Sequence, residues 1–271
     1  MKNTITIIFL FCELCTASVS IAITPNDLIN KGDIYQNNQE YYPAIVEYTK
    51  AIERYPSLAI AYQKRGLAKH NLGDDKSAIM DYNKAIQINP KSTDTFIYRA
   101  KALLNIKNYY AAINDYNKAI ELNPSLTEIY FYRGTIKYIL NDNYGAIDDF
   151  NKAISLTPNE ARYYTSRGMA KASLHDNWGA IEDLNIALNI DSKNIEAYLE
   201  RGKVKAVLGD YYGAISDYTK CLIENKDSPN YVMADAYKCR ADAKSAIGDE
   251  KGAMGDRMTY GITNLLLEKK K

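Results

Sequence analysis

Histidines and cysteines are the residues most able to bind metals or act in nucleophilic catalysis, and this 271-residue chain has two histidines and four cysteines. Neither His70 nor His175 has a partner at the spacing of metal ligands, and neither belongs to a Ser-His-Asp or Cys-His pattern. We expect both to face solvent. The chain also has no phosphate-binding loop and no GxGxxG motif. The sequence therefore predicts a non-catalytic protein with no metal site and no cofactor.

The four cysteines fall into two pairs. Cys12 and Cys15 form a CxxC spacing, but they lie in an N-terminal segment that we expect to be removed, so a redox role is not favoured. Cys221 and Cys239 remain in the mature chain. Export would permit a disulfide between them, whereas their positions, where the repeats put small packing residues, favour two buried free thiols. The sequence leaves both alternatives open and favours the free thiols.

The N-terminus has the features of a secretory signal peptide. Lys2 supplies a positive charge, residues 4–12 form an apolar run, and Ser-Ile-Ala at residues 20–22 is a small-residue cleavage site. We therefore predict a signal peptide at residues 1–22 and an exported protein, either periplasmic or secreted. The alternative is an uncleaved membrane anchor over residues 3–23, and only then do we expect a membrane partner. The 34 basic and 33 acidic residues balance, so no nucleic-acid partner is expected.

The elements that carry these residues come from a pattern of 34 residues that recurs six times over residues 25–224. Each copy has two amphipathic stretches, called helix A and helix B below. In the second copy Ala78, Tyr82 and Ala85 recur at spacings of four and three, which place them on one side of a helix. One helix pair cannot bury such a stripe alone, so the sequence predicts stacked helix pairs. The predicted copies are residues 25–58, 59–92, 93–126, 127–160, 161–194 and 195–224.

This pattern resembles the tetratricopeptide repeat family, and five of the six copies match it nearly as well as the second. The residues that carry the resemblance in the second copy are Tyr62, Gly66, Ala78, Tyr82, Ala85 and Pro90. The resemblance implies an all-α fold, a right-handed α-solenoid of stacked helix-turn-helix repeats. It also implies a concave groove, lined by A-helix residues not used in packing, that holds an extended segment or a helix of a partner protein.

One feature departs from the family, which commonly has leucine before the glycine of helix A. This chain has an arginine there, and an acid recurs sixteen residues later. The pairs are Arg65 with Asp81, Arg99 with Asp115, Arg133 with Asp149, Arg167 with Asp183, and Arg201 with Asp217, with Lys31 and Glu47 in the first copy. We hypothesise that each pair bridges two packed helices and fixes the stacking register. The alternative is a charged ladder that binds a partner.

The array ends with a departure from the pattern. Residues 225–230 form an insertion, and a seventh copy follows with Arg240 and Asp256 again sixteen residues apart. A terminal repeat that differs from the others is expected in a solenoid. We predict a degenerate seventh repeat and a C-terminal capping helix over residues 230–267, followed by a solvated tail.

The groove positions of the middle copies are apolar, whereas those at both ends are polar. An exposed apolar surface of this extent marks a binding site, although several of these side chains could instead pack within or between repeats. Lys101 and Arg162 are the nearest match to the cluster of polar and basic residues with which chaperone-binding members of the family hold a terminal carboxylate. The rest of that cluster differs, so we expect them to orient an acidic partner and expect no chaperone docking. The predicted partner-binding residues are Leu67, Ile97, Tyr98, Lys101, Leu104, Phe131, Tyr132, Tyr138, Arg162 and Met169.

The sequence thus predicts an exported module that binds a peptide or helix of an unidentified protein in its groove. One alternative is a structural scaffold of the cell envelope that self-associates as a homo-oligomer. The other is an effector secreted beyond the cell.

Overall fold

The computed structural model describes residues 24–225 and 230–268. The predicted signal peptide at residues 1–22, with Cys12 and Cys15, lies outside the described residues, as do residues 226–229 of the predicted insertion and residues 269–271 of the tail. In the described part every regular element is an α-helix, and none of these helices is long and apolar enough to cross a bilayer. The helices are α1 Pro25–Asn37, α2 Tyr41–Arg54, α3 Ala59–Asn71, α4 Asp75–Ile88, α5 Thr93–Asn105, α6 Tyr109–Leu122, α7 Thr127–Ile139, α8 Asn143–Leu156, α9 Ala161–Ser173, α10 Asn177–Ile190, α11 Ile195–Val207, α12 Tyr211–Glu224, α13 Tyr231–Ala246 and α14 Glu250–Glu268.

Each odd-numbered helix is a helix A and pairs with the helix B that follows it, and each helix B packs on the next helix A. Helices A of neighbouring repeats also touch one another: α3 touches α5, α7 touches α9, and α9 touches α11. The A helices therefore line the inner side of the stack, and the B helices form its outer side. This arrangement confirms the predicted all-α solenoid.

The turn between helix A and helix B is built in the same way in every repeat. One turn residue has a φ between 60° and 84°, and an aspartate often caps helix B, as where Asp142 accepts a 3.0 Å hydrogen bond from the Gly145 N–H. His175 lies in this exposed turn, as expected. The same expectation is wrong for His70, which is half-buried with its Nδ1 2.5 Å from the Asp75 carboxylate. The residues with positive φ are Gln39, Gly73, Lys107, Asn141, His175, Gly209 and Gly248.

The predicted stripe of helix B is buried between the helices. Ala78, Tyr82 and Ala85 are at most 1% exposed. Gly66 on helix A makes room for the ring, because a Cβ at Gly66 would lie 2.7 Å from an atom of Tyr82. The glycine of helix A is therefore a spacer for the aromatic ring of its own repeat.

An ion pair joins the two helices of each repeat, as hypothesised from the recurring charges. In the fourth repeat the Arg133 guanidinium donates two hydrogen bonds to Asp149, 2.9 Å from Nε and 2.5 Å from Nη2. The carboxylate is buried, so the two-pronged contact satisfies both of its oxygens. The pairs are Lys31–Glu47, Arg65–Asp81, Arg99–Asp115, Arg133–Asp149, Arg167–Asp183, Arg201–Asp217 and Arg240–Asp256.

The sequence did not predict two further contacts around these ion pairs. Arg133 also donates from Nη1 to Asn117 of the preceding helix B, at 2.6 Å, so the same side chain links two repeats. Lys137 adds a second cation, 2.9 Å from Asp149. The third repeat has no such lysine, because Leu103 occupies the equivalent position. The arginine thus fixes both the helix pair and the stacking of one repeat on the next.

The seventh repeat consists of α13 and α14. Asn225 and Asn230, which flank the segment 226–229, exchange side-chain hydrogen bonds of 2.9 and 3.0 Å. Cys221 and Cys239 pack beside this junction as free thiols, and burial raises the pKa of Cys221 to about 12. A thiol with this pKa is protonated at neutral pH and is a poor nucleophile.

Candidate binding groove

The inner surface formed by α5, α7 and α9 is called the central groove below. Each predicted partner-binding residue lies on an A helix, and each is half-buried. A half-buried side chain is held in place by packing but can still contact a ligand. The A helices therefore place the predicted residues at partly accessible positions.

A pocket of about 350 Å³ lies between α5 and the first turn of α7. Ile97, Lys101 and Tyr132 line it, together with residues 125–129, and its exposed wall is mainly apolar. Sequence reasoning missed residues 125–129. The period could have found Glu128 among them, since it lies 34 residues before the predicted Arg162.

Stacked aromatic rings hold the tyrosines of the groove in place. The ring of Tyr132 stacks on that of Tyr116, with centroids 6.1 Å apart and planes 14° apart. The Lys101 Nζ lies 5.3 Å from the Tyr132 centroid. One repeat earlier, Tyr98 stacks on Tyr82 with centroids 6.2 Å apart. Tyr98 and Tyr132 are therefore each held against a buried ring of the preceding helix B.

Phe131 is packed more closely than an open binding ring. Its centroid lies 5.3 Å from that of Tyr163 and 6.0 Å from that of Phe150, and the Arg162 guanidinium lies 5.0 Å from it. Tyr163 was missed by the sequence analysis, because the equivalent residue of most other repeats is small. Phe131 thus contributes to the wall of the groove through its packing, the alternative that the sequence left open for several of these side chains.

The remaining predicted residues are spread along the inner surface. Leu67 lines a separate pocket of about 190 Å³ near α1. Leu104 and Tyr138 pack against buried clusters of the third and fourth repeats. Met169 lies further along α9. The structure therefore brings Ile97, Lys101 and Tyr132 together at one pocket and distributes the other predicted residues around it.

Among the groove cations, only Lys101 has no carboxylate partner within the described residues. Arg162 lies 3.1 Å from Glu128. Burial disfavours the charge of Arg162, yet its contacts with Glu128, Tyr163 and Glu160 together outweigh this effect and raise its pKa above the ordinary value. In the flanking repeats, Lys64 and Lys203 are also paired with acids. Uncompensated positive charge is therefore located at the pocket.

Behind Tyr132 lies a hydroxyl without a partner. Tyr116 is fully buried, and among the described residues its hydroxyl has no hydrogen-bond partner; the same is true of Tyr82. In the first repeat the equivalent Tyr48 donates to Asp33 at 2.7 Å. Lys101 occupies the position of Asp33 in the third repeat and offers no acceptor. Burial raises the pKa of Tyr116 well above its ordinary value, so the hydroxyl stays protonated.

The groove presents apolar, aromatic and charged side chains. In the described ranges, no group of three or more His, Cys, Asp or Glu side chains is placed to hold a metal ion. What the pocket presents is an apolar wall, one unpaired cation and ordered rings. An apolar side chain next to an acidic group would complement this arrangement.

Comparison with known proteins gives the same architecture. The sequence model of the family described as tetratricopeptide repeat matches residues 28–58, 59–92 and 99–126. A tetratricopeptide repeat protein from Parabacteroides merdae is 19% identical, with 88% of this chain and 93% of that chain covered and a TM-score of 0.70. YrrB, described as a TPR protein with an unusual peptide-binding site, is 19% identical, with 66% and 93% covered and a TM-score of 0.58. PilW, described as a widely conserved type IV pilus biogenesis factor, is 18% identical, with 74% and 91% covered and a TM-score of 0.66.

No curated protein matches the chain in sequence. At these identities the solved structures establish the fold alone. The three family matches follow one another along α1 to α6 and repeat the register of the helix pairs. The family matches identify tetratricopeptide repeats within residues 28–126, and the solenoid architecture continues with the same helix pairs through the other described repeats.

Proposed function

We propose that this protein is an exported interaction module that binds a peptide or helix segment of a partner protein along the central groove. The observation that carries the proposal is the pocket of about 350 Å³ beside the unpaired Lys101. YrrB, a neighbour in fold, is described as having a peptide-binding site, which supports the same kind of ligand here.

The partner segment would place an apolar side chain in the pocket, against Ile97 and Tyr132. A neighbouring carboxylate of the segment would then pair with Lys101, which needs no rearrangement to accept it because no acid occupies it. Apolar burial supplies most of the affinity in such a contact, while the charge selects for acidic partners. The segment would continue past Arg162 and Met169 on α9.

Export is the second part of the proposal and rests on residues 1–22 alone. The test is N-terminal sequencing of the protein recovered from the cell envelope and the medium of the expressing cell. A mature chain that begins at Ile23 supports cleavage of a signal peptide. A chain that keeps its first residues and is found in the cytosol overturns export and leaves the groove proposal standing.

Groove binding is tested by selecting peptides from a displayed random library on the purified protein. We expect the selected peptides to share an apolar residue flanked by Asp or Glu. Their affinity should fall at least about tenfold for Tyr132→Ala and for Lys101→Glu.

Two exposed positions outside the pocket provide matched controls. Tyr144→Ala removes the same side chain from the outer surface, where the ring is 74% exposed, and Lys107→Glu reverses a charge in an exposed turn. Both should leave the affinity unchanged. Peptides that bind equally well to Tyr132→Ala and Lys101→Glu would show that the central groove is not the binding site.

A further inference from the structure

The outermost helix of the stack, α14, exposes an apolar stripe that no described residue covers. Its members are Met254, Met258, Ile262 and Leu265, whose exposed fractions lie between 58% and 64%. Met254, Met258, Gly261 and Leu265 follow spacings of four, three and four, the seam of a two-helix coiled coil, and Ile262 lies beside this seam. The opposite side of α14 packs on α13 through buried residues such as Ala253.

This stripe continues the surface on which the repeats stack. Met254 follows the buried alanine of helix B, and in six other repeats an isoleucine at this position is half-buried under the next helix A. In the second repeat, for example, Ile79 packs beside Ala102 of α5. In α14 the same surface has no following helix among the described residues.

A further repeat-like helix is a poor match for this surface. In earlier repeats, the position of Met258 carries Asn or Thr, which accepts a hydrogen bond from the arginine of the next repeat. Met258 cannot accept such a bond. The outer side of α1, which a second copy would present in head-to-tail stacking, has exposed Asp27, Asn30 and Lys31 around the exposed Ile34. Because Met258 offers no acceptor, the two ends of the solenoid lack the side-chain hydrogen bond that joins one repeat to the next.

The stripe is complementary to itself. Two glycines, Gly255 and Gly261, lie in the interior of α14, where glycine is among the least favourable helix residues. A Cβ at either would meet nothing within 4 Å, so no contact among residues 24–225 and 230–268 requires them. On a helix that packs against another helix, glycines let the two backbones approach closely. We propose that two copies of this chain associate through α14, with the two apolar stripes packed on each other about a two-fold axis.

The symmetry of this interface determines how many copies assemble. A two-fold contact uses the same patch on both copies and closes at the dimer, whereas head-to-tail contact would grow into a filament. The dimer leaves the inner surface over α5, α7 and α9 free, since the two lie in different repeats. The proposal is therefore independent of the groove.

The test is the mass of the full chain, measured by light scattering after size-exclusion chromatography over a dilution series. We expect twice the chain mass for the wild type and a single chain mass for Met258→Glu with Ile262→Glu, whose dimer dissociation constant should rise at least about a hundredfold. Met80→Glu is the matched control, because Met80 is 71% exposed on another helix B. The Met80→Glu variant should keep twice the mass of a single chain.

A second variant tests the interface without adding charges that could prevent α14 from folding. Gly255→Ala with Gly261→Ala keeps the surface apolar and should raise helical content and thermal stability of the monomer, while weakening the dimer at least about tenfold. A wild type that stays monomeric up to about 100 µM, where even a weak contact is populated, overturns the proposal. So does a dimer that survives in both α14 variants, or a mass that keeps growing with concentration.

Discussion

The arginine–aspartate pairs allow a sharp comparison between two repeats of the same chain. In the fourth repeat Asp149 is held by Arg133 and also by Lys137, 2.9 Å away. In the third repeat Asp115 has Arg99 alone, because a leucine replaces the lysine. Removing the arginine therefore leaves a buried carboxylate without any cation in one repeat and with one cation in the other.

The magnitude follows from this difference. Breaking a buried ion pair by removing one partner costs about 3–5 kcal/mol, because the remaining charge is desolvated and unpaired. The Arg99 side chain is 22% exposed and Asp115 is 6% exposed, so solvent screening reduces this only slightly. We expect Arg99→Met to cost about 3–4 kcal/mol. We expect Arg133→Met to cost about 1–2 kcal/mol less, since a hydrogen bond to a charged group contributes about 1.5–3 kcal/mol.

The assay is urea unfolding followed by circular dichroism at 222 nm and by the fluorescence of Trp178, the single tryptophan. Coincident transitions justify a two-state free energy of unfolding. Asp115→Asn added to Arg99→Met should recover about half of the loss, because it removes the orphaned charge. Equal losses for Arg99→Met and Arg133→Met, or no recovery in the double variant, would refute the reasoning.

Two further predictions concern buried polar groups. Tyr116→Phe should leave the free energy of unfolding unchanged or raise it by up to about 1 kcal/mol, because it removes an unpaired hydroxyl. Tyr48→Phe should lower the free energy of unfolding by about 1–2 kcal/mol, because it removes the hydrogen bond to Asp33. Equal losses for the two variants in urea unfolding would contradict this. Burial raises the pKa of Asp256, but the hydrogen bonds and positive charges of Arg240 and Lys244 together outweigh burial and hold that pKa below its ordinary value. A depressed pKa stabilises the fold above the unfolded pKa of about 4, and this contribution is lost as the pH falls through the lower folded pKa. The difference in unfolding free energy between wild type and Asp256→Asn should therefore shrink from about pH 5 to about pH 3, and a difference that stays constant would count against it.

Much of the fold could be predicted because each repeat encodes its own helix pair locally. The spacing of Ala78, Tyr82 and Ala85 is a helix stripe whatever lies next to it, and repetition shows that the stripe must be covered. The pairing of Arg133 with Asp149 was also predictable, since the two charges recur together at one spacing.

Contacts between repeats were less predictable, because they depend on what the neighbouring copy carries. The bond from Arg133 to Asn117 crosses a repeat boundary. Phe131 was expected as a groove ring, yet its packing depends on Tyr163 of the next repeat. The charge available at the pocket depends on Glu128 pairing with Arg162 and leaving Lys101 unpaired, which only the arrangement of the side chains reveals.

The most direct test of the groove account is to map where a bound peptide lies. A selected peptide carrying a photo-crosslinking residue next to its apolar anchor is bound, irradiated and digested, and the attached residues are identified by mass spectrometry. The account predicts attachment to α5 and to the first turns of α7 and α9, around Ile97, Tyr132 and Arg162. Attachment confined to the B helices, for instance at the exposed ring of Tyr144, would contradict it.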